Sequence, residues 1–295
     1  MIIKNYKDNA KLRKSFNELA EKTFGIDFED WYQNGYWSDN YNPYSIMMDG
    51  KVAANVSVNL MNFIRHGKRE FYIQLGTVMT DKPYRNRGFI RQIMKEIEKD
   101  YEKQTEGIFL FANDSVLDFY PKFDFRKAGE CQYSTVITGN ASAARFSAIK
   151  GSAIEQIPMR CKEDWTLLEN AIRHSMPQSA FEMVDNSGLV MFYVTKYMQN
   201  NVFYHREQDA YVIAEMENDT LLLHNIFASH PVDIKQIANA FGMDFHRIRP
   251  GFTPKDQNGF AISPLKEEDC TLFVKGNGFD NFETDRLMFP VLSHA

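Results

Sequence analysis

The feature that most constrains the fold of this chain is a strand, a basic glycine-containing loop and a helix in direct succession. Residues 70–80 alternate between apolar and polar side chains, which predicts a long strand. The loop 81–88 follows, and apolar residues then recur at helical spacing over 89–101. A long strand that passes directly into an amphipathic helix needs a sheet with a helix packed on it, so the pattern predicts a mixed α/β architecture.

The loop itself, Arg85-Asn86-Arg87-Gly88, has the chemistry of an anion site. The first turn of a helix directs unpaired N–H groups and the positive end of the helix dipole at one point. Two guanidinium groups suit phosphate oxygens, and Gly88 lets the backbone approach a ligand closely. The alternative is an exposed basic turn that Gly88 ends.

The rest of the first half alternates helix and strand signals. Residues 10–22 predict an amphipathic helix that ends near Gly25. Asp49-Gly50, between apolar runs, predicts a hairpin of strands 44–48 and 52–64. Further on, 107–112 and 132–138 predict strands and 115–120 a helical turn.

The second half carries similar signals in a similar order. It predicts a helix at 163–174, extended segments at 189–195 and 202–204, a hairpin over 210–228 and a helix at 233–241. This order suggests either a duplicated fold or an unrelated α+β domain.

Length and charge support two domains. The chain has 295 residues, about twice a typical domain. Residues 1–150 contain 22 Lys and Arg against 19 Asp and Glu, a net charge of +3, whereas 151–295 carry −8. Residues 139–156 are rich in Ala, Ser and Gly. We therefore predict domains at 1–142 and 153–295.

Composition excludes several classes of function. A net charge of −5 argues against general binding to nucleic acid or anionic membranes. The chain has no apolar run of 18 residues, which argues against a membrane span. Three scattered cysteines without a CxxC pair, and seven histidines without HExxH, give no support for a disulfide framework or a metal site. We expect a cytoplasmic protein without a metal.

Aromatic residues are concentrated between Phe24 and Tyr44, where eight occur in 21 positions. The segment is either a cap packed on the core or the lining of a ligand entrance. In the second case Trp31, Tyr32, Glu29 and Asp30 are candidate substrate-binding residues.

Two motifs resemble the GNAT acetyltransferase superfamily. The run 85–90, Arg-Asn-Arg-Gly-Phe-Ile, resembles its pyrophosphate loop, Gln/Arg-x-x-Gly-x-Gly/Ala between a long strand and a helix. The run 117–125 is similar to its Phe-Tyr-x-x-x-Gly-Phe element. The predicted order of elements over 10–138 agrees with the same fold.

The resemblance implies a GNAT-like mixed sheet flanked by helices, followed by a second α+β domain that is a degenerate repeat without a phosphate loop. It implies acetyl-CoA as co-substrate and a small-molecule or peptide amine as acceptor. The backbone of Val78 and Thr80 would bind pantetheine and polarise the thioester. The implied residues for the rest of the cofactor are Arg85, Arg87, Gly88, Phe89, Ile90 and Asn113. Tyr120 matches the general acid, its alternative being a buried aromatic in the core.

The chain departs from the family pattern at three positions. Ile90 stands where Gly or Ala is usual, which puts the approach of the loop to the pyrophosphate in question, unless its side chain points into the core. Asp124 replaces a turn glycine. Gln74 stands where many members have a glutamate base, and an amide cannot accept a proton.

The general base must therefore lie elsewhere. Candidates are Glu29, Asp30, Asp39, a water chain, or the apolar chain end, through the Ala295 carboxylate or His294, as some two-domain relatives such as N-myristoyltransferase use a C-terminal carboxylate. The preferred function is an acetyl-CoA-dependent N-acetyltransferase. A non-catalytic acyl-CoA sensor and a tRNA-dependent aminoacyl transferase of tandem fold are the alternatives. The sequence does not fix the oligomeric state.

Overall fold

The computed structural model describes residues 1–136, 153–242 and 245–295. Its α-helices are α1 (Ala10–Phe24), α2 (Glu29–Gln33), α3 (Phe89–Tyr101), α4 (Lys162–His174), α5 (Ser187–Lys196) and α6 (Ile234–Asn239). Its strands are β1 (Ile2–Ile3), β2 (Tyr41–Met48), β3 (Lys51–Arg65), β4 (Lys68–Thr80), β5 (Gly107–Ala112), β6 (Arg126–Lys127), β7 (Cys131–Val136), β8 (Ile154–Gln156), β9 (Phe181–Val184), β10 (Val202–His205), β11 (Ala210–Glu217), β12 (Thr220–Phe227), β13 (Arg247–Pro250), β14 (Ala261–Pro264) and β15 (Thr271–Lys275). None of the helices in these ranges is long and apolar enough to cross a bilayer.

Helix α1 shows how local sequence sets the ends of an element. The side chain of Asn9 accepts a hydrogen bond from the backbone N–H of Leu12 at 3.2 Å and so caps the first turn. Gly25 adopts the left-handed conformation that ends the helix. Phe16 and Leu19 are buried on one face, which fixes α1 against the first sheet.

The first sheet has the order β1-β2-β3-β4-β5-β15-β6, with β9 paired to β3. Neighbouring strands are antiparallel except β4 and β5, which are parallel and are joined through α3. Helix α3 buries Ile93, Met94 and Ile97 against this sheet.

Strands β4 and β5 diverge towards the end of β4. They pair only over Tyr72–Gln74 and Gly107–Phe109, although β4 continues to Thr80. The pairing of β3 with β4 shifts register between Asn55 and Ser57, and Thr77 in β4 has a φ of 46°. A bulge of this kind bends the strand, so the sheet opens between the ends of β4 and β5.

The second sheet has the order β14-β7-β13-β12-β11-β10-β8. Here β12 and β13 are the parallel pair, and α6 lies between them in sequence. The succession of three antiparallel strands, a helix and a parallel strand thus occurs in both halves. The prediction of a mixed α+β fold is confirmed.

Strand membership does not follow the predicted domain limits of 1–142 and 153–295. Strands β9 and β15, from the second range, belong to the first sheet. Strand β7, from the first range, belongs to the second sheet. The predicted junction at 139–156 falls mostly on residues outside the described ranges, as does the end of the predicted strand 132–138, so the limits stay a prediction.

One sequence prediction is wrong. Residues 189–195, expected to be extended, lie in helix α5. Their apolar and β-branched composition favours a strand, but α5 is buried on several sides, from Leu189 to Met191 and again at Val194. A helix buried around its circumference shows no amphipathic period that a sequence pattern could reveal.

The aromatic segment 24–44 packs into a core that spans both halves. Phe28 stacks on Phe192 of α5, with ring centroids 5.6 Å apart. Trp31 and Trp37 are buried in the same cluster, together with Val190. The segment is therefore a packed cap, and some of its rings also line the cavity described below.

Candidate functional site

A cavity of about 1070 Å³ opens where β4 and β5 diverge. Its walls are the end of β4, the loop before α3, the segment after β5, the end of α1, helix α5 and the last two residues of the chain. The sequence-predicted residues that line it are Trp31, Val78, Thr80, Arg85, Arg87, Gly88, Phe89, Ile90, Asn113, Tyr120, His294 and Ala295.

The loop before α3 forms the basic end of the cavity. Gly88 is the N-cap of α3 in the left-handed conformation, with φ 74°, and no side chain caps the helix. Asn86 is also left-handed, with φ 62°. The guanidinium of Arg87 lies over the Tyr84 ring at 5.1 Å, and Arg85 donates to the Thr80 carbonyl at 3.3 Å. Free N–H groups beside two fixed cations can hold a phosphate.

The corresponding helix of the second half lacks this arrangement. At the N-terminus of α6 the Asp233 carboxylate accepts hydrogen bonds from the N–H groups of Lys235 and Gln236. The Asp233 carboxylate thus bonds the N–H groups at the start of α6, whereas no side chain bonds those at the start of α3.

Ile90, the departure from the family loop, is half-buried and packs against the core cluster that contains Ile93 and Met94. Its side chain therefore serves the core while the residue also borders the cavity.

The end of β4 and the residue after β5 lie on either side of the opening. Val78 and Thr80 border the cavity beyond the last residues paired with β5. Asn113 is exposed, and its amide donates to the Asp269 carboxylate at 2.7 Å, in the segment before β15. This bond orients Asn113 at the rim of the cavity.

Tyr120 borders the cavity as a buried side chain at the start of a short 3-10 helix, Tyr120–Phe123. Its ring contacts Phe119 and Phe273, and its hydroxyl makes no hydrogen bond to any residue that the structure describes. Burial raises the pKa of Tyr120 to about 12. The phenol is thus protonated at neutral pH and free to donate.

The chain end lines the cavity through His294 and Ala295. Gly76 of β4 is buried against Ala295, so that a Cβ at Gly76 would lie 2.5 Å from the Ala295 backbone oxygen. With its amide nitrogen facing Ser293, Gln74 donates to the Ser293 carbonyl and accepts from the Ala295 N–H, both at 2.9 Å. The Tyr193 hydroxyl donates to the His294 carbonyl. Gln74, which stands in the place of a glutamate base, thus holds the last residues.

The His294 ring is stacked on Phe111, with centroids 3.8 Å apart. Its Nε2 is shielded from solvent and has no hydrogen-bond partner among the described residues. Burial lowers the pKa of His294 to about 4, so the imidazole is neutral at pH 7.

The other predicted substrate and base candidates do not border the cavity. Glu29 forms two hydrogen bonds with Arg13, at 2.7 and 2.9 Å, which lower the pKa of that carboxyl. Tyr32 donates to Asp8, and Asp39 pairs with Lys7 at 2.5 Å. Asp30 is exposed in α2. Of the aromatic segment's four candidates, the structure brings only Trp31 to the cavity.

Several lining residues have no counterpart in the sequence predictions. Phe192 and Tyr193 of α5, and Tyr197 directly after it, border the cavity from a segment of which 189–195 was expected to be extended. Gly76 gave no local signal, because its neighbour Ala295 is distant in sequence. No pattern within α5 or β4 could have identified them.

One group of side chains bears on the expected absence of a metal. Glu267, Cys270 and His294 offer ligand atoms within 4.8 Å of one another. Burial, and next to it the charge of the neighbouring Glu267, raises the pKa of the Cys270 thiol to about 12. A metal would have to displace this proton, and the expectation of no metal stays a prediction.

Part of the chain matches a known protein family, and its fold resembles solved structures. The model of the acetyltransferase (GNAT) family matches residues 10–125. A probable N-acyltransferase from Enterococcus faecalis V583, described as a conserved protein of unknown function, has a similar structure, with a TM-score of 0.63, 16% identity, and coverage of 96% of this chain and 74% of that one.

Two further solved structures are similar over most of the chain. For the GCN5-related N-acetyltransferase from Kribbella flavida the TM-score is 0.55 at 12% identity, with 94% of this chain and 72% of that one covered. For Eis1 from Mycobacterium abscessus the TM-score is also 0.55 at 12% identity, with 94% of this chain and 74% of that one covered. No curated protein matches the sequence. At these identities the likeness is one of fold.

The resemblance seen in the sequence is thus confirmed by the family match and by the fold. Residues 10–125 match the model of the acetyltransferase (GNAT) family, and the fold of the chain as a whole is similar to that of these solved structures.

Proposed function

We propose that this protein transfers the acetyl group of acetyl-CoA to an amine by direct attack of the amine nitrogen on the thioester. The observation that carries the proposal is the convergence of three groups on one cavity: the N-terminus of α3, which no side chain caps, with its arginines; the bulged end of β4; and Tyr120, whose hydroxyl has no hydrogen-bond partner among the described residues. Each suits one part of the co-substrate or of the reaction.

The binding roles follow from the chemistry of each wall. The backbone of Gly88, Phe89 and Ile90, with Arg85 and Arg87, would hold the pyrophosphate. The backbone of Val78 and Thr80 would bind the pantetheine arm and polarise the thioester carbonyl, since strand N–H groups that β5 leaves unpaired can stabilise an oxyanion. Asn113, at the rim, would contact the pantetheine region.

The transfer itself needs a proton donor and a proton acceptor. The amine nitrogen forms a bond to the carbonyl carbon, the carbon–sulfur bond breaks, and the departing thiolate takes the proton of Tyr120. The ammonium formed by attack loses its proton to a base. Tyr120 recovers a proton from solvent as CoA leaves.

The chain end is the best-supported base among the candidates. Glu29, Asp30 and Asp39 lie away from the cavity, whereas Ala295 borders it and is held by Gln74 and Gly76. We assign the proton to the α-carboxylate of Ala295. His294 is a poorer acceptor, because burial holds its pKa at about 4.

None of the three cysteines borders the cavity, although all three lie in the described ranges. This supports direct transfer to the amine without an acyl-cysteine intermediate.

The test measures thiol release from acetyl-CoA with a panel of amines, and calorimetric binding of acetyl-CoA, for the wild-type chain and two variants. Tyr120→Phe removes only the hydroxyl, so we expect unchanged acetyl-CoA affinity and a kcat lower by roughly 10²-fold. Deletion of residues 293–295 should likewise abolish most turnover while binding persists.

Full turnover after the deletion would refute the role of the chain end. Acetyl-CoA binding without thiol release from any amine would favour a non-catalytic acyl-CoA sensor. Absence of acetyl-CoA binding would favour a tRNA-dependent aminoacyl transferase.

A further inference from the structure

The cavity lining has two parts of different chemistry. The part beside α3 is basic, with Arg85, Arg87, Arg91 and Lys122. Another part is aromatic, and its rings come from the end of α1, from α2 and the residue before it, from β2, and from α5 and the residue after it. They are Phe24, Phe28, Trp31, Tyr41, Phe192 and Tyr197. We call this set the aromatic wall. No Asp or Glu side chain in the described part of the chain borders the cavity.

Apart from Phe24, the rings of the aromatic wall form one continuous pack. The Phe192 ring stacks on Phe28 at 5.6 Å, meets Trp31 edge-on at 5.6 Å and meets Tyr197 at 5.8 Å. The Trp31 indole N–H donates to the Gly188 carbonyl at 2.7 Å, and the Tyr41 hydroxyl is bonded to Thr77 at 2.6 Å. Because these polar atoms are already bonded within the protein, Trp31 and Tyr41 present apolar surface to a ligand.

Two carboxylates that lie next in sequence to lining residues are already paired. Glu29 is bound by Arg13, and Asp81 by Lys22. A second or third ammonium group on an acceptor would thus lose its hydration here without gaining a side-chain counter-charge, which is strongly unfavourable.

We infer that the acceptor is a primary amine on an apolar, ring-containing body, with no further positive charge, rather than a polyamine, an aminoglycoside or a lysine-rich peptide. The inference rests on the proposed function, which it deepens by naming the substrate class. The amino group would reach the Ala295 carboxylate, and the ring would lie on the aromatic wall. Phe192 of α5 and Tyr197, the residue after α5, would then determine specificity, so that the second half of the chain shapes the acceptor site.

Tyr197 and Phe24 are 54% and 42% exposed while they border the cavity, which places them at its mouth. Tyr197→Ala therefore alters the aromatic wall without emptying the core. Leu167→Ala on α4 is a matched control, because Leu167 is an apolar side chain with a similar exposure of 57% and does not border the cavity.

The experiment compares 2-phenylethylamine with 1,6-diaminohexane and spermidine in the full-length chain. Turnover with acetyl-CoA and equilibrium binding of each amine, by calorimetry in the presence of CoA, are both measured. We expect kcat/KM for 2-phenylethylamine to exceed that for either polyamine by at least roughly 100-fold. Tyr197→Ala should lower kcat/KM for 2-phenylethylamine by roughly tenfold and leave the KM for acetyl-CoA unchanged. Leu167→Ala should change neither of these two values. Phe192→Leu, which keeps an apolar side chain in the core, should also lower kcat/KM for 2-phenylethylamine.

Preference for a polyamine, or an unchanged preference in Tyr197→Ala and Phe192→Leu, would overturn the inference. A gain in turnover with octanoyl-CoA over acetyl-CoA that is lost in Tyr197→Ala would also overturn it, since the aromatic wall would then hold an acyl chain. Binding separates this question from the proposed function. If 2-phenylethylamine binds through Tyr197 but no acetyl group is transferred, the amine class stands and the catalytic proposal fails.

Discussion

Replacement of Gly76 by alanine tests whether the chain end is part of the catalytic site. Gly76 does not have a positive φ, so its backbone can accept an alanine. The obstacle is contact, because the new Cβ would lie 2.5 Å from the backbone oxygen and 2.9 Å from the backbone carbon of Ala295.

The geometry sets the magnitude of the effect. Ordinary contact needs a separation about 1 Å longer, so Ala295 must move by about that distance. Displacement of a catalytic group by about 1 Å lowers the rate by roughly 10²-fold, or about 2.7 kcal/mol in activation free energy. We expect kcat to fall by that factor. If the chain end cannot move, overpacking instead destabilises the fold by about 1–3 kcal/mol.

The assay is steady-state thiol release, with acetyl-CoA affinity from calorimetry and stability from denaturant unfolding. Gly129→Ala is the control, since a Cβ there meets only the Glu283 carboxylate at 3.5 Å, an ordinary contact. The change should also be non-additive, because Gly76→Ala in a chain that lacks Ala295 should cost little further turnover. Unchanged kcat in a stable Gly76→Ala protein, or full additivity with the deletion, would show that the chain end takes no part in catalysis.

Three other changes test separate parts of the account. Arg87→Ala should raise the KM for acetyl-CoA by roughly tenfold. The KM for S-acetylpantetheine, which lacks the pyrophosphate, should not change. An equal rise in KM for both acyl donors would contradict a phosphate role for Arg87. A fragment of residues 1–142 should fail to fold, as judged by circular dichroism, because it lacks β15 and α5; cooperative unfolding of the fragment would contradict the strand assignment. Burial raises the pKa of Glu130 to about 8, from an unfolded value of about 4.3. The folded state therefore binds more protons in that window, and stability falls as pH rises through it; Glu130→Gln should flatten the fall in Tm, and an unchanged slope would contradict the burial argument.

The loop and its helix could be predicted from sequence because their signals are local. The alternation over 70–80, the left-handed Gly88 and the helical period from Phe89 all lie within a few turns of chain. The Tyr120 motif is local as well. These segments lie within the residues that match the family model, and the structure brings them to one cavity.

The remainder of the site depends on contacts between distant segments. Strand β15 lies beside β5 although about 160 residues separate them, and no local pattern specifies such a partner. Helix α5 is buried on several sides and so lacks the helical period. The position of Ala295 against Gly76 follows from the packing of both halves, which explains why the sequence could propose the chain end only as one of several bases.

The central claim is acyl transfer from CoA to an amine in this cavity. Its most direct test is a single-turnover reaction of the full-length protein with isotopically labelled acetyl-CoA and 2-phenylethylamine, quenched and analysed by mass spectrometry. The account predicts one labelled N-acetyl product for each CoA released, with no label on the protein. Label retained on the protein along the reaction path, or CoA bound with no acetylated amine formed from this amine or any other of the panel, would contradict it.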